Sequence, residues 1–205
     1  VTFRGWPDEA IEFYEGLAAD NSRAYWQDHK SVYEQNVKAP MEELLAELTD
    51  EFGTGRMFRP YRDTRFSKDK TPYKLACAAH LPSGYVSFAA DGLFVGSGLY
   101  QPEPDELARF RAAVADDISG DQLTRIVGDL RADDYEVVAH DVLKTAPKGY
   151  PKDHPRIELL QYKGIVMSKH WPVGSWLGTR KAKDRVVAVL RDARPLGDWL
   201  HTHVG

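Results

Sequence analysis

At 205 residues, with 42% hydrophobic and 28% charged side chains, the chain carries enough apolar surface for a folded core and too much for a disordered segment. Its single cysteine, Cys77, excludes an internal disulfide and suits a reducing compartment, and no apolar run approaches the roughly 20 residues that span a bilayer. A formal net charge of −4 gives the whole molecule no electrostatic reason to approach nucleic acid or anionic lipid. The opening VTFRGWPDEAIEF lacks the basic-then-apolar order of a signal peptide, so the expectation is a cytoplasmic protein without a membrane partner.

The first fifty residues read as three helices. Pro7 sits where a first-turn proline is tolerated, ahead of Ile11, Tyr14, Leu17 and Ala18 on one face. Asn21 or Ser22 is placed to cap a second helix carrying Trp26, His29, Tyr33 and Val37. Pro40 restarts a third, whose stripe is Met41, Leu44, Leu45, Leu48 and Phe52, with Gly53 after it. Residues 74–81 then read as a strand. Asp91-Gly92 suits a two-residue hairpin turn, which pairs 85–90 with 93–100. Gly96 and Gly98 inside the second strand point to a bulge or a close approach by another group. Two helical patterns follow, from Pro104 to Val114 and around Leu123, Ile126, Val127 and Leu130. Tyr135 to Asp141 and Lys163 to His170 read as strands, separated by a short helix that Asp153 caps and Pro155 opens. The chain ends in helical sequence broken at Pro195. With no repeat, low-complexity tract or linker, residues 1–205 make a single domain of the α+β class. It has a mostly antiparallel sheet and helices segregated at the N- and C-terminal ends.

Charge is concentrated in RMFRPYRDTRFSKDKTPYK. Seven cations there face only Asp63 and Asp69, a local charge of +5 that leaves −9 for the rest of the chain. Arg62 and Arg65 supply planar forks suited to phosphate or carboxylate, Lys68, Lys70 and Lys74 add point charges, and Phe66 and Tyr73 supply stacking surfaces. The competing reading is structural: Asp63 and Asp69 hold these cations in ion pairs that tie the helices to the sheet.

Other chemistry finds little footing. Ser67 and Lys70 match the Ser-x-x-Lys spacing of some acyl-transfer enzymes, but a proline follows closely and the partner motifs are absent. The seven histidines show no metal-ligand spacing and Cys77 has no partner cysteine, so neither a metal nor a cofactor is expected. GSGLY sits within a hairpin and not in a dinucleotide-binding context. Trp26, Tyr25 and Tyr33 form a helical aromatic stripe that reads first as core.

Three stretches carry a family resemblance. YRDTRFSKDKTPYK resembles the hallmark segment of the bacterial and fungal family called domain of unknown function 2461. NSRAYWQDHKSVYE is similar to that family's pattern of Asn, Arg, paired aromatics, Lys and Tyr. APKGYPKDHPRIELLQYK matches its Pro-(Lys/Arg)-Gly-Tyr and Asp-His-Pro turns, and GSGLYQPEPDELARFR extends the likeness. Ala24 departs from the acidic residue usual before the aromatic pair, so no carboxylate role carries over to it. What the resemblance implies is a fold and a site, with no activity attached.

The expectation is therefore an anionic small molecule, phosphorylated or otherwise, held by Arg62, Arg65, Phe66, Lys68, Lys70, Tyr73 and Lys74, with Lys148 and Tyr150 on a further turn. Whether a reaction follows binding stays open. The alternative is a non-catalytic interaction protein using the same basic surface for nucleic acid or a protein partner. The −9 elsewhere makes nucleic acid the weaker of these. Reaction class, ligand identity and oligomeric state are not written in the sequence.

Overall fold

The computed structural model describes residues 2–205. The chain divides into two compact units, Val1–Val95 with His170–Ala188 and Gly96–Lys169 with Val189–Gly205. Its strands are β1 (Arg56–Met57), β2 (Ala76–Leu81), β3 (Gly84–Ala89), β4 (Gly92–Leu99), β5 (Glu136–Val138) and β6 (Ile165–Trp171), in the sheet order β1-β2-β3-β4-β6-β5. β1–β2, β2–β3 and β5–β6 pair antiparallel. The fold is α+β, with helices before and after the sheet and two more after β4. No helix among the described residues is long and apolar enough to cross a membrane.

In the first unit, helix α1 (Asp8–Ala19) follows Pro7, with Asp8 and Glu9 placed favourably in its first turn. Its buried face is Ala10, Phe13, Tyr14 and Leu17, so the apolar stripe is rotated from the expected one and takes in Phe13 in place of Ile11 and Ala18. Helix α2 (Arg23–Val32) is capped by Ser22, whose Oγ accepts from Tyr25 N at 3.1 Å. The third helix opens at Pro40 as expected, with its stripe of Met41, Leu44, Leu45, Leu48 and Phe52 buried, but no break separates it from α2. Residues Tyr33–Lys38 widen into a π-helical turn in which Ala39 N–H reaches back to Glu34 O, and α3 (Ala39–Phe52) runs on from it. A proline has no N–H to give and its ring clashes with a carbonyl four residues back, and the wider turn accommodates both demands.

These helices cover one face of the sheet. Cys77, Ala79 and Leu81 of β2 and Val86 and Phe88 of β3 are buried, with Trp6 stacked on Phe88 at 4.9 Å and Tyr14 edge-on to the same ring at 5.9 Å. β2 and β3 join through a tight loop at Pro82-Ser83, with Leu81 opposite Gly84. The second hairpin turns one residue earlier than expected, at Ala90-Asp91, and Gly92 begins β4. Gly92 has φ +129°, and a Cβ there would lie 2.0 Å from Trp171 O, so the glycine serves a close strand approach and not the turn itself.

In the second unit α4 (Pro104–Ala115) opens with a capping box, Glu103 N donating to Glu106 Oε2 at 2.7 Å. Asp116 then caps α5 (Asp117–Ala132) by accepting from Ile118 N and Ser119 N. Trp199 of α8 (Arg194–His203) donates to Ser119 O at 2.9 Å and meets Phe110 edge-on. The expected approach at Gly98 is present: its φ is +132° and a Cβ would stand 2.2 Å from Ile165 O. The short helix α6 (Ile157–Gln161) starts later than Asp153-Pro155, because His154 O accepts from Ile157 N in a preceding turn. Helix α7 (Lys181–Asp192) precedes α8, and Pro195 stands in the first turn of α8.

Candidate functional site

Two tyrosines close the basic segment into a loop. Tyr61 and Tyr73 pair as a bridge, with Arg62 N donating to Pro72 O and Lys74 N donating to Pro60 O, each at 2.8 Å. Asn21, at the start of the α2 cap, fixes one side of this closure. Its Nδ2 donates to Tyr73 O at 3.1 Å and its Oδ1 accepts from Tyr73 N at 3.0 Å. The Tyr73 ring lies flat on Trp26 at 4.3 Å and 7°. The indole Nε1 of Trp26 is buried with no hydrogen-bond partner among the described residues, so stacking and not polar contact holds that ring. Burial raises the Tyr73 phenol above its ordinary range.

Within the loop most cations are answered locally. Arg65 forks onto Asp63 through Nε (3.0 Å) and Nη2 (2.7 Å), and Lys70 Nζ donates to Thr64 O at 2.8 Å. Arg62 donates from Nη1 to both the Asp69 carboxylate and the Thr71 hydroxyl. The Arg62 hydrogen bond, with help from Thr71, holds the Asp69 carboxyl down to about 2, and the Arg65 guanidinium similarly lowers Asp63. Phe66 stands at the tip, 95% exposed.

Beside the loop lies a groove of about 680 Å³. Its polar lining is Asn21, Arg62, Asp69, Thr71 and Lys74. Its apolar lining comes from the rings of Phe58, Tyr73 and Tyr85 and from small or aliphatic residues, among them Leu75, Ala76 and Ala78. Lys74 Nζ lies 5.2 Å from the centre of the Phe58 ring. Alternation along β2 explains the floor: 77, 79 and 81 face the helices, so 76 and 78 face the other way, and alanine at both leaves a depression between Phe58 and Tyr85.

The nine residues singled out from sequence thus separate into three groups. Arg62, Tyr73 and Lys74 line the groove. Arg65, Phe66, Lys68 and Lys70 stand exposed on the loop outside the lining. Lys148 and Tyr150 belong to the second unit, in a turn where Tyr150 N donates to Pro147 O at 3.2 Å. Sequence reasoning missed Asn21 as a positioning side chain, Thr71 as a partner of Arg62, and Phe58 and Tyr85 as walls. The last two carry a signal only once β1 is known to pair with β2. Among the described residues no group of His, Cys, Asp and Glu gathers that could hold a metal ion.

Comparison with known proteins returns one family model, described as "Conserved hypothetical protein (DUF2461)", which matches residues 9–199. Neither the curated proteins nor the solved structures gave a match.

Proposed function

The chain belongs to the domain of unknown function 2461 family, whose description carries no activity, and on that premise we propose that it binds an anionic small molecule in the groove walled by Arg62 and Lys74. The supporting observation is the way Arg62 is held. Both of its hydrogen bonds leave from Nη1, so the side edge of the guanidinium, Nε with Nη2, keeps its N–H donors for a ligand. That edge is the one Arg65 uses to fork Asp63, and it matches a phosphate or carboxylate bidentately. Asp69, ionised throughout the neutral range, orients Arg62 without neutralising Lys74. The described lining therefore sets two cations against one carboxylate. It holds no His, Cys or Glu, so binding is the part of the reading these side chains support.

Thermal melts test this. Phosphate at tenfold excess over its dissociation constant stabilises the folded protein by about 1.4 kcal/mol. For a chain of this size that is a rise of about 4 °C over chloride at matched ionic strength. Lys74→Gln is expected to cut the gain. Arg65→Ala, whose charge is engaged by Asp63 outside the groove, is expected to keep it. A parent protein indifferent to phosphate sinks the reading.

The exposed tip favours a second reading, an interaction surface. Phe66 with Arg65, Lys68 and Lys70 presents one ring among cations, the pattern that stacks and neutralises single-stranded nucleic acid. Oligonucleotide binding that persists at physiological salt and is lost in Phe66→Ala would put this reading first; little binding there is expected.

A further inference from the structure

The ligand class of the groove can be narrowed from the backbone of β2, an inference that rests on the anion-binding reading above. In the β2–β3 hairpin Leu81 and Gly84 flank a two-residue loop and form its closing hydrogen-bonded pair. Residues 79 and 77 therefore also bond to β3, while 80, 78 and 76 turn their N–H and C=O the other way, toward β1. The observed bond from Phe58 N to Ala78 O, at 2.9 Å, has that direction. One step further along, Ala76 should meet Pro60. But Pro60 has no N–H, and its carbonyl instead accepts from Lys74 N at 2.8 Å. The ladder jumps from Ala78 to the Tyr61–Tyr73 bridge, so among the described residues the N–H and C=O of Ala76, which lines the groove, have no ladder partner on that side.

One residue's N–H and C=O, side by side, form a donor–acceptor pair. In this groove the pair lies near Phe58 and Tyr85 and beside two cations. Phe58 is 45% exposed and Tyr85 stands 6.2 Å from it, so a flat ring has faces to stack on. A volume of about 680 Å³ fits a compact ligand, within the common span of about 300–1,000 Å³. Inorganic phosphate would use the cations and leave the rings and the backbone pair idle. An aliphatic sugar phosphate would leave the rings idle.

We infer that the groove takes a nucleoside monophosphate: a heteroaromatic base whose edge meets the Ala76 N–H and C=O and whose face lies on Phe58, and a phosphate on Arg62 and Lys74. The base is bound by one donor–acceptor pair and a stacking surface, so affinity varies among bases according to which of them offers an adjacent acceptor and donor on its edge.

The probes are the four common ribonucleoside monophosphates, ribose 5-phosphate, adenosine and inorganic phosphate, each titrated by calorimetry into the parent, Phe58→Ala, Lys74→Gln and Ala76→Leu. At least one nucleotide is expected to bind the parent about tenfold or more tighter than ribose 5-phosphate, the increment that stacking a base supplies. Phe58→Ala is expected to remove that increment, bringing the ratio of nucleotide to ribose 5-phosphate affinity close to one, whatever it costs ribose 5-phosphate itself through Lys74, whose Nζ lies over the ring. Lys74→Gln is expected to weaken every phosphate and spare adenosine. Ala76→Leu fills the depression and is expected to reject nucleotides; should it fail to fold, Phe58→Ala still decides. If ribose 5-phosphate or inorganic phosphate binds as tightly as every nucleotide, the base is not recognised and this inference falls, while the anion reading survives. If no phosphate binds, both fall.

Discussion

Two arginines, one in each unit, contrast a structural clasp with the group proposed to bind the ligand. Arg156 is 8% exposed, and every nitrogen of its guanidinium is engaged. Nε donates to Val114 O at 2.7 Å, Nη1 to Asp121 at 2.6 Å, and Nη2 to Ala115 O, Asp116 O and Asp117. It gathers the carbonyls left over at the end of α4 and bonds two carboxylates in the first turns of α5. Arg62 is 30% exposed, engages a single nitrogen, and lines a groove. A buried arginine with every guanidinium nitrogen bonded has no free edge to offer a ligand. One held by a corner and open along its edge does. The basic segment is therefore divided: Arg65 and Lys70 bond within the loop, and Arg62 and Lys74 line the groove.

Mutations can break this contrast or sharpen it. Arg156→Ala is expected to have the largest effect, about 3 kcal/mol lost in urea denaturation, because it strands several carbonyls in a buried corner. Asn21→Ala comes next, at about 2 kcal/mol, since it removes both bonds holding the Tyr73 backbone; it is also expected to weaken phosphate binding by loosening the groove wall. A stability loss from Asn21→Ala as large as that from Arg156→Ala would show that the loop closure, too, is a clasp.

Glu47 gives an intermediate case with a pH signature. It accepts from Phe3 N at 2.8 Å and pairs with Lys183 and Arg180; the Lys183 hydrogen bond, chiefly, lowers its carboxyl to about 2. A depressed folded value means the contribution is complete above the unfolded pKa of about 4.3 and is lost as pH falls toward 2. Glu47→Gln is therefore expected to lower stability at neutral pH and to flatten the acid limb between those values. An unchanged acid limb would show the network to be idle. Arg65→Ala is expected to be smallest, with no measurable shift in midpoint, because the pair it breaks is exposed, Arg65 itself by 77%.

The same contrast explains what the sequence made legible. Periodicity located α1–α3, Asn21 or Ser22 marked the cap of α2 and Ser22 is the one that serves, and the bulge or close approach expected at Gly96 and Gly98 is a close approach at Gly98, because each signal is local. Pro40 located the start of α3 but not the π turn upstream, which makes room for its ring and joins α3 to α2 without a break. The charge cluster marked the loop that borders the groove. It could not say which cations would be answered by Asp63, Asp69 and Thr64 O, because that pairing depends on how the loop bends. The groove itself was invisible. It arises where Pro60 stops the pairing from continuing beyond a two-residue strand that no periodicity reveals, and from two alanines that read as filler until β2 is placed between β1 and β3.

The most direct test of the groove as the anion site is amide chemical-shift mapping during a phosphate titration of the folded protein. The result expected is a saturable set of shifts at residues 62, 71, 73–76 and 78, with the Ala76 N–H among the largest movers and residues 65–68 at the tip little changed. Shifts confined to the tip, or a linear drift across all the surface cations, would contradict it.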